Sequence, residues 1–563
     1  MAAICGYAIN HLKSCWLELY GFIGGAGMKS ISLKKLFLLH SWVGIVTAIL
    51  LFIVCFTGAL AVLSRPELKI WANPELHQLN SVPSEKVTEL INHYHTLVPK
   101  EFGENIHVYL PTGHNTHLLT ILFESHDGDE NYEEEAAYAY QFDPRNFELV
   151  NEYYGAAGYF YEHRKTDAPS FIGHFHADLH LGRPIGLILT GFLGLTLLVS
   201  TITGLFIHRQ LIKELFTFRR KKELDVVVND AHKIMGIWGS LFHGVIGFTG
   251  AFLGLATIIL LPAAAFVSFG GDQDKLVAKF TAMPEPIITN DYQATDINAI
   301  LIDAQARYPK AKVIDLTIMA HNDANAEVYL RLIGGDAVAS QLLHYHGNGE
   351  FSKSMSSFGD IPGPAIKVLE LLFPLHFGNF AGIFVKLVWA LLGLSTALLP
   401  LSGMMMWLAK RSRGSNPTLS ELAYQRWNRA IIGSCGGLVL ATAILFPAQV
   451  LLNNLVPVHM HNAYFGPLFF YSWLAWCLLA VLPINYHRYL QVTMTLTGLA
   501  CMAVFPLNLA LSASHAFSAN NVLVTVVDIS FLFIGGLFIY LSQRLVTKQL
   551  NGVTAKATGE VIV

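Results

Sequence analysis

Hydrophobic residues along this chain gather into long runs. Eight of them are long enough to cross a bilayer core of about 30 Å. They fall at about 38–63, 182–208, 232–263, 378–408, 430–453, 464–484, 489–511 and 522–542. Two polar stretches interrupt them, at about 64–180 and 268–375. Inside each stretch the periodicity changes. The first has Val87-Thr88-Glu89-Leu90-Ile91 leading to Val98-Pro99-Lys100, then alternation over Thr116 to Phe123 and Tyr138 to Phe142. The second has Ile297 to Ala306 leading to Tyr308-Pro309-Lys310, then alternation over Lys312 to Ile318, Ala326 to Leu332 and Gln341 to His346. Helix, Pro-Lys, then strands occurs twice. The pattern predicts a duplicated unit of span, small α+β domain and span, followed by four more spans.

The apolar segments repeat at finer grain. His40-x-x-x-Gly44 followed by Phe56-Thr57-Gly58-Ala59 matches His232-x-x-x-Gly236 followed by Phe248-Thr249-Gly250-Ala251, with the same His-to-Thr spacing. His180-x-Gly182-x-x-x-Gly186 matches His376-x-Gly378-x-x-x-Gly382. Each unit therefore has a histidine at the start of each of its two spans. Histidine is costly inside a bilayer, and its ring nitrogen is a good iron ligand.

Composition agrees with this organisation: 53% of the 563 residues are hydrophobic and 14% charged, a multi-span membrane profile. Net charge is −3, and no basic stripe suggests nucleic acid. No cysteine lies in the polar stretches, so no disulfide framework is expected, and the absence of Cys-x-x-Cys-His excludes covalent c-type haem. Lys and Arg alternate in the connecting segments. Lys34 and Lys35 precede the first run, Arg219 and Arg220 follow the second, Arg411 and Arg413 the fourth, and Arg544 and Lys548 the last. By the positive-inside rule both termini are cytoplasmic and both polar stretches extracytoplasmic. Residues 1–33 form a tail that fits neither a signal peptide nor a span, and Met28 looks like an alternative start.

The chain resembles the PepSY-associated transmembrane-helix family, which includes iron-regulated inner-membrane proteins and ferric-siderophore reductases. The resemblance rests on His40-Ser-Trp42-Val-Gly44 with Thr57-Gly58, Leu179-His180 with Gly186 and Thr203-Gly204, His232-Lys-Ile-Met-Gly236 with Thr249-Gly250, and Leu375-His376-Phe-Gly378 with Ser402-Gly403 and Trp407. It covers about residues 34–412. It implies a bacterial inner-membrane protein with two small periplasmic PepSY-like α+β domains, and with the eight apolar runs the expected fold is a polytopic all-α membrane protein of about eight transmembrane helices. The boundaries that follow are 34–63 for the first span, 64–180 for the first domain and 181–267 for spans two and three. The second domain takes 268–375, the fourth span 376–412, a C-terminal four-helix block 430–545 and a cytoplasmic tail 546–563. That block departs from relatives that carry a cytoplasmic flavin and nicotinamide domain.

Depth sorts the histidines. His40 and His232 begin spans from the inside, His180 and His376 from the outside. The 18 residues from His40 to Gly58 span about 27 Å of helix. Bis-histidine ligation across facing helices holds haem b in bundles. The expected pairs are therefore His40 with His232 and His180 with His376, giving two haems at two depths. His208 and His243 are alternatives for the inner pair. His174 and His176 beside His180 form a candidate metal site. No dinucleotide fingerprint, phosphate loop or nucleophile triad is visible, so no catalytic side chain is assigned, and electrons would come from a quinol or a separate cytoplasmic reductase. The expected function is haem-b electron transfer that reduces an external ferric siderophore or other ferric chelate and releases Fe²⁺. Two other classes compete: a membrane-anchored partner-binding or regulatory protein that is not an enzyme, and a metal or siderophore permease. A haem spectrum separates the first from both.

Overall fold

The computed structural model describes residues 30–77, 82–112, 114–125, 135–164, 166–207, 216–219, 223–272, 275–276, 283–284, 286–335, 340–356, 364–413, 417–511 and 522–558. The first repeat runs α1 (Ser30–Ala61), α2 (Ser84–His95), β1 (Asn105–Tyr109), β2 (Leu119–Glu124), β3 (Ala136–Phe142), β4 (Leu149–Ala156), α3 (Ala157–His163), α4 (Ala168–Asp178) and α5 (Ile185–Ile207). The second runs α6 (Leu224–Trp238), α7 (Ser240–Leu255), α8 (Ile297–Arg307), β5 (Ala311–Met319), β6 (Glu327–Gly334), β7 (Gln341–His346), β8 (Phe351–Ser356), α9 (Pro364–Phe377) and α10 (Gly382–Arg413). The C-terminal block comprises α11 (Glu421–Leu455), α12 (Asn462–Leu479), α13 (Tyr486–Leu511) and α14 (Val522–Thr558).

The apolar runs are helical because a bilayer offers no water to backbone amides, so every N–H and C=O must be met within the segment. Among the described residues, six helices are long and apolar enough to cross a membrane: α1, α5, α10, α11, α13 and α14. The chain is a multi-pass membrane protein. The expected third span is broken: α6 and α7 meet at 68°, and the pair makes a seventh span only if counted as one. The expected sixth run is α12, whose Asn462, Tyr464, Ser472, Trp473 and Trp476 dilute its hydropathy, and it does not reach that standard.

The break at Gly239 has a local cause. The His243 ring folds back to donate from Nε2 to the Met235 carbonyl (3.2 Å), while Thr396 Oγ1 lies 3.0 Å from Nδ1. A Cβ on Gly239 would sit 2.3 Å from that Nε2, so only glycine admits the ring. The Met235 carbonyl thus accepts twice, from the Gly239 amide at 3.0 Å and from the His243 ring, which ties α7 back to the last turn of α6.

The two polar stretches do not fold as separate units. Their strands form one antiparallel sheet in the order β4-β3-β2-β1-β5-β6-β7-β8. The join is β1 on β5, with Ile106 opposite Ile318 and Val108 opposite Leu316. Each four-stranded meander alone would leave that strand as an open edge, and pairing the edges removes both. One face carries Ile106, Val108, Phe123, Leu316, Ile318, Leu330 and Leu343 in a core shared with Val87 and Ile91 of α2 and Ile297 and Ile300 of α8. The other face is more polar. Its first half is covered by α3, where Phe160 packs on Ala137 and Ala139.

Below the sheet, α1 packs on α5 and α10, α5 on α7, and α10 on α6. Thus α1 and the bent α6/α7 pair occupy opposite corners of a four-cornered bundle. The α5/α7 crossing is close because it is lined by glycine. A Cβ on Gly194 would lie 2.6 Å from Ala251 N, and one on Gly254 2.6 Å from Gly191 Cα. Two short helices lead from the sheet back to the bundle, α4 against α1 and α9 against α7.

Candidate functional site

Two histidine pairs form inside the bundle. The His40 and His232 ring centroids are 6.4 Å apart, and those of His176 and His376 are 6.1 Å apart. An imidazole nitrogen binds a first-row metal at about 2.0–2.1 Å, and the ring centroid lies roughly 1.1 Å behind the nitrogen. Two imidazoles on opposite sides of one metal therefore have centroids about 6.2 Å apart. Both pairs match that separation.

Each ring is held by a hydrogen bond at Nδ1. His40 Nδ1 donates to the Ser200 carbonyl at 3.1 Å, with Thr203 Oγ1 at 3.2 Å. His176 Nδ1 donates to the Val54 carbonyl at 2.9 Å. His232 Nδ1 meets Ser402 Oγ at 2.8 Å, and His376 Nδ1 meets Thr249 Oγ1 at 2.9 Å. Both hydroxyls give their own protons to carbonyls one turn back, Ser402 to Leu398 and Thr249 to Val245. With those protons placed there, both oxygens can accept from the rings. Nδ1 of each of the four rings is thus held by a partner on another helix, an arrangement that in metal-binding histidines leaves Nε2 to the metal.

The Thr-Gly and Ser-Gly pairs of the sequence now have a physical role. Each histidine seats on one such pair from another helix. The hydroxyl or a nearby carbonyl holds Nδ1, and the glycine makes room for the ring. A Cβ on Gly58 would lie 2.6 Å from His176 Cε1, on Gly204 3.3 Å from His40 Cε1, and on Gly250 3.4 Å from His376 Cε1. One turn beyond His40, Gly44 has nothing within 4 Å of a built Cβ, and beyond His232, Gly236 has Leu399 Cδ2 only at 3.9 Å. The helix face one turn beyond each inner histidine is thus left unfilled by side chains.

His180 was expected opposite His376. The structure places His176 there instead. His180 lies just past the end of α4, which Leu179 terminates in the left-handed region at φ 56°. Its ring stacks on Phe171 at 4.5 Å, and its Nε2, the other ring nitrogen, donates to the Phe171 carbonyl at 3.3 Å. In the second repeat α9 continues through His376 to Phe377 before Gly378 turns left-handed at φ 69°. Matching the two motifs by sequence therefore slips one helical turn. Residues two apart on a helix face different ways, so His174 and His176 diverge: the His174 ring lies 6.1 Å from that of His180, and the His176 ring 6.1 Å from that of His376. His243 is engaged at both nitrogens at the α6/α7 break. His208 lies outside the described residues.

The helix that presents His176 is held by buried polar groups that sequence reading missed. Asp167 caps α4 by accepting from Ser170 N at 2.8 Å. Lys69 Nζ meets its carboxylate at 2.7 Å, with both side chains essentially fully buried. His117 Nε2 is 3.0 Å from the same carboxylate, and His77 bonds His117 at 2.7 Å. Burial alone would raise the Asp167 carboxyl, but the Lys69 ammonium outweighs it and holds the group well below the usual carboxylate range. Burial, followed by the Lys69 charge, pushes His117 down to about 4, so it is a neutral imidazole. The C-terminal block supplies the next support. Gln449 Oε1 accepts from Ala168 N at 2.8 Å, Asn453 Nδ2 donates to the Ala72 carbonyl at 2.7 Å, and Trp71 Nε1 donates to Asp528 at 2.7 Å. Phe171 and Phe175 of α4 pack on Phe469 at 5.3 and 5.0 Å.

Comparison with known proteins places this architecture. The PepSY-associated TM region matches residues 37–410, which contain both repeats and all four paired histidines. An uncharacterized protein of Pseudomonas aeruginosa is 26% identical over 357 residues, covering 60% of this chain and 86% of that protein.

Proposed function

Because the chain belongs to the family defined by the PepSY-associated TM region, we propose that it carries electrons across the bacterial inner membrane on two b-type haems and reduces an extracytoplasmic ferric chelate, such as a ferric siderophore. In this reading the protein crosses the membrane eight times with both termini in the cytoplasm. The joined sheet is a pair of PepSY-like domains in the periplasm. The observation that carries the reading is the pair of ring separations, 6.4 and 6.1 Å, on four histidines each held at Nδ1.

His40 and His232 would hold the inner group and His176 and His376 the outer one. Bound there, haem supplies a one-electron couple whose potential follows from its axial ligands and burial. The chain's own residues do the rest. Ser200, Thr203 and Ser402 orient the inner rings, and Val54 and Thr249 the outer ones. The glycines let these rings sit against neighbouring helices. A ferric chelate that gains one electron becomes a ferrous one, which hard oxygen ligands hold less tightly, so iron is released as Fe²⁺. A quinol or a separate cytoplasmic reductase would be the donor.

The test is a reduced-minus-oxidised spectrum of purified protein with quantified haem. Wild type should carry two b-type haems. His176→Ala and His376→Ala should each remove one and the same haem, His40→Ala and His232→Ala the other, and His180→Ala neither. A protein with no b-type signal would refute the reading. Loss of a haem in His180→Ala, with retention in His176→Ala, would refute the pairing.

A further inference from the structure

Outside the bundle, one cluster on the polar face of the sheet has ligand geometry of its own. Glu327 on β6 and His344 and His346 on β7 project from the same face, with Glu327 paired to His346 and Tyr329 to His344 in the strand register. His344 Nε2 lies 2.6 Å and His346 Nδ1 3.1 Å from Glu327 Oε2, and one donor atom from each residue lies within 4.8 Å of the others. We propose that Glu327, His344 and His346 form a binding site for a divalent first-row transition-metal ion on the second half of the sheet.

The donor chemistry selects the class of ion. Two imidazoles and one carboxylate suit Fe²⁺, Zn²⁺ and their neighbours, whereas Ca²⁺ and Mg²⁺ require mostly oxygen. The site is partly enclosed and open on one side: the side chains are 11% exposed at His344, 21% at Glu327 and 46% at His346. His344 is held flat on Tyr329 by stacking at 4.6 Å with an 8° interplanar angle. The cluster opens to solvent at His346, where an ion could enter and leave.

The duplication supplies a contrast: among the described residues, Glu124 of the first half meets one histidine, His107 Nε2 at 3.0 Å, where Glu327 of the second half meets two. In the first half of the sheet, the third strand places Ala137 and Ala139 on this face, paired with Glu124 and Leu122, and α3 covers them through Phe160. In the second half, the third strand places His346 and His344 there, paired with Glu327 and Tyr329. The opposite sides of these strands, Leu343 and Tyr345, already fill the core. The two histidines are therefore additions to a face the fold does not need them to fill. The inference is independent of the haem reading.

The test uses the full-length protein in detergent, stripped with a chelator and dialysed against Zn²⁺, with Ca²⁺ as the hard-ion comparison. Wild type should retain one more equivalent of Zn²⁺ than Glu327→Gln, His344→Gln or His346→Gln, and no such difference should appear with Ca²⁺. His346→Gln changes the most exposed ligand and leaves the core untouched, so it serves even if His344→Gln unfolds the sheet. Equal Zn²⁺ content in wild type and all three variants would overturn the site and leave the cluster a cross-strand ion pair. The b-type spectrum of each variant should match wild type, which separates this outcome from any failure of the haem assignment.

Discussion

At the scale of single residues, the bundle is organised by where a methyl group is forbidden. Among the glycines beside the paired histidines, Gly58 is the tightest. Its Cβ would lie 2.6 Å from His176 Cε1, well inside the closest approach of real side chains, and the ring cannot retreat without breaking its bond to Val54. Gly58→Ala should therefore displace His176 and remove or strongly weaken the outer b-type signal while the inner one persists. Gly536→Ala, with nothing within 4 Å of its Cβ, should change neither. An unaltered spectrum in Gly58→Ala would mean that His176 is not a ligand. The sequence displayed the Thr-Gly pairs and matched histidines clearly, because both repeats preserve them. It did not reveal which of His176 and His180 faces inward. They are one helical turn apart, so periodicity places both on one face, and the choice depends on where α4 ends. Leu179 ends it with a left-handed conformation that non-glycine side chains rarely adopt and that sequence gives little reason to expect.

At the scale of elements, the C-terminal block acquires a purpose that its sequence concealed. It was legible as four further apolar runs but carried no motif. Its contribution is a set of isolated polar side chains that become meaningful only against their partners. Gln449 is fully buried and accepts the Ala168 amide at the first turn of α4, while its own amide donates to Asn453. Replacing it by leucine leaves that amide buried and unpaired, at a cost of about 1–3 kcal/mol. The loss falls on the helix that carries His176, eight residues on. Gln449→Leu should lower outer-haem occupancy or make the outer signal more easily lost on warming, with the inner signal retained. Equal changes in both signals would point to general unfolding instead. The sheet teaches a related lesson. The expected helices and strands at 297–306, 312–318, 326–332 and 341–346 are present within a residue or two. Their union into one eight-stranded sheet was not legible, since alternation specifies which face of a strand is buried and not which edge finds a partner.

At the scale of the molecule, the duplication sets two histidine pairs at two depths. His40 and Val54, which holds His176, are fourteen residues apart on α1, about 21 Å along the helix axis. One pair alone therefore cannot serve both faces of a bilayer core of about 30 Å, and the two together can. The consequence is measurable in closed vesicles loaded with a reductant and bathed in a ferric chelate, with external Fe²⁺ read by a colour-forming ferrous ligand. Wild-type vesicles should produce Fe²⁺ outside, and His232→Ala and His376→Ala vesicles should fall to the level of vesicles without protein. The two variants should differ when the reductant is supplied externally. The outer haem of His232→Ala should still reduce in the spectrum, whereas His376→Ala has no outer haem to reduce. If His232→Ala kept the wild-type rate of Fe²⁺ production, the inner pair would lie off the route, and its matched spacing with the outer pair would reflect shared ancestry of the helices rather than a shared electron path.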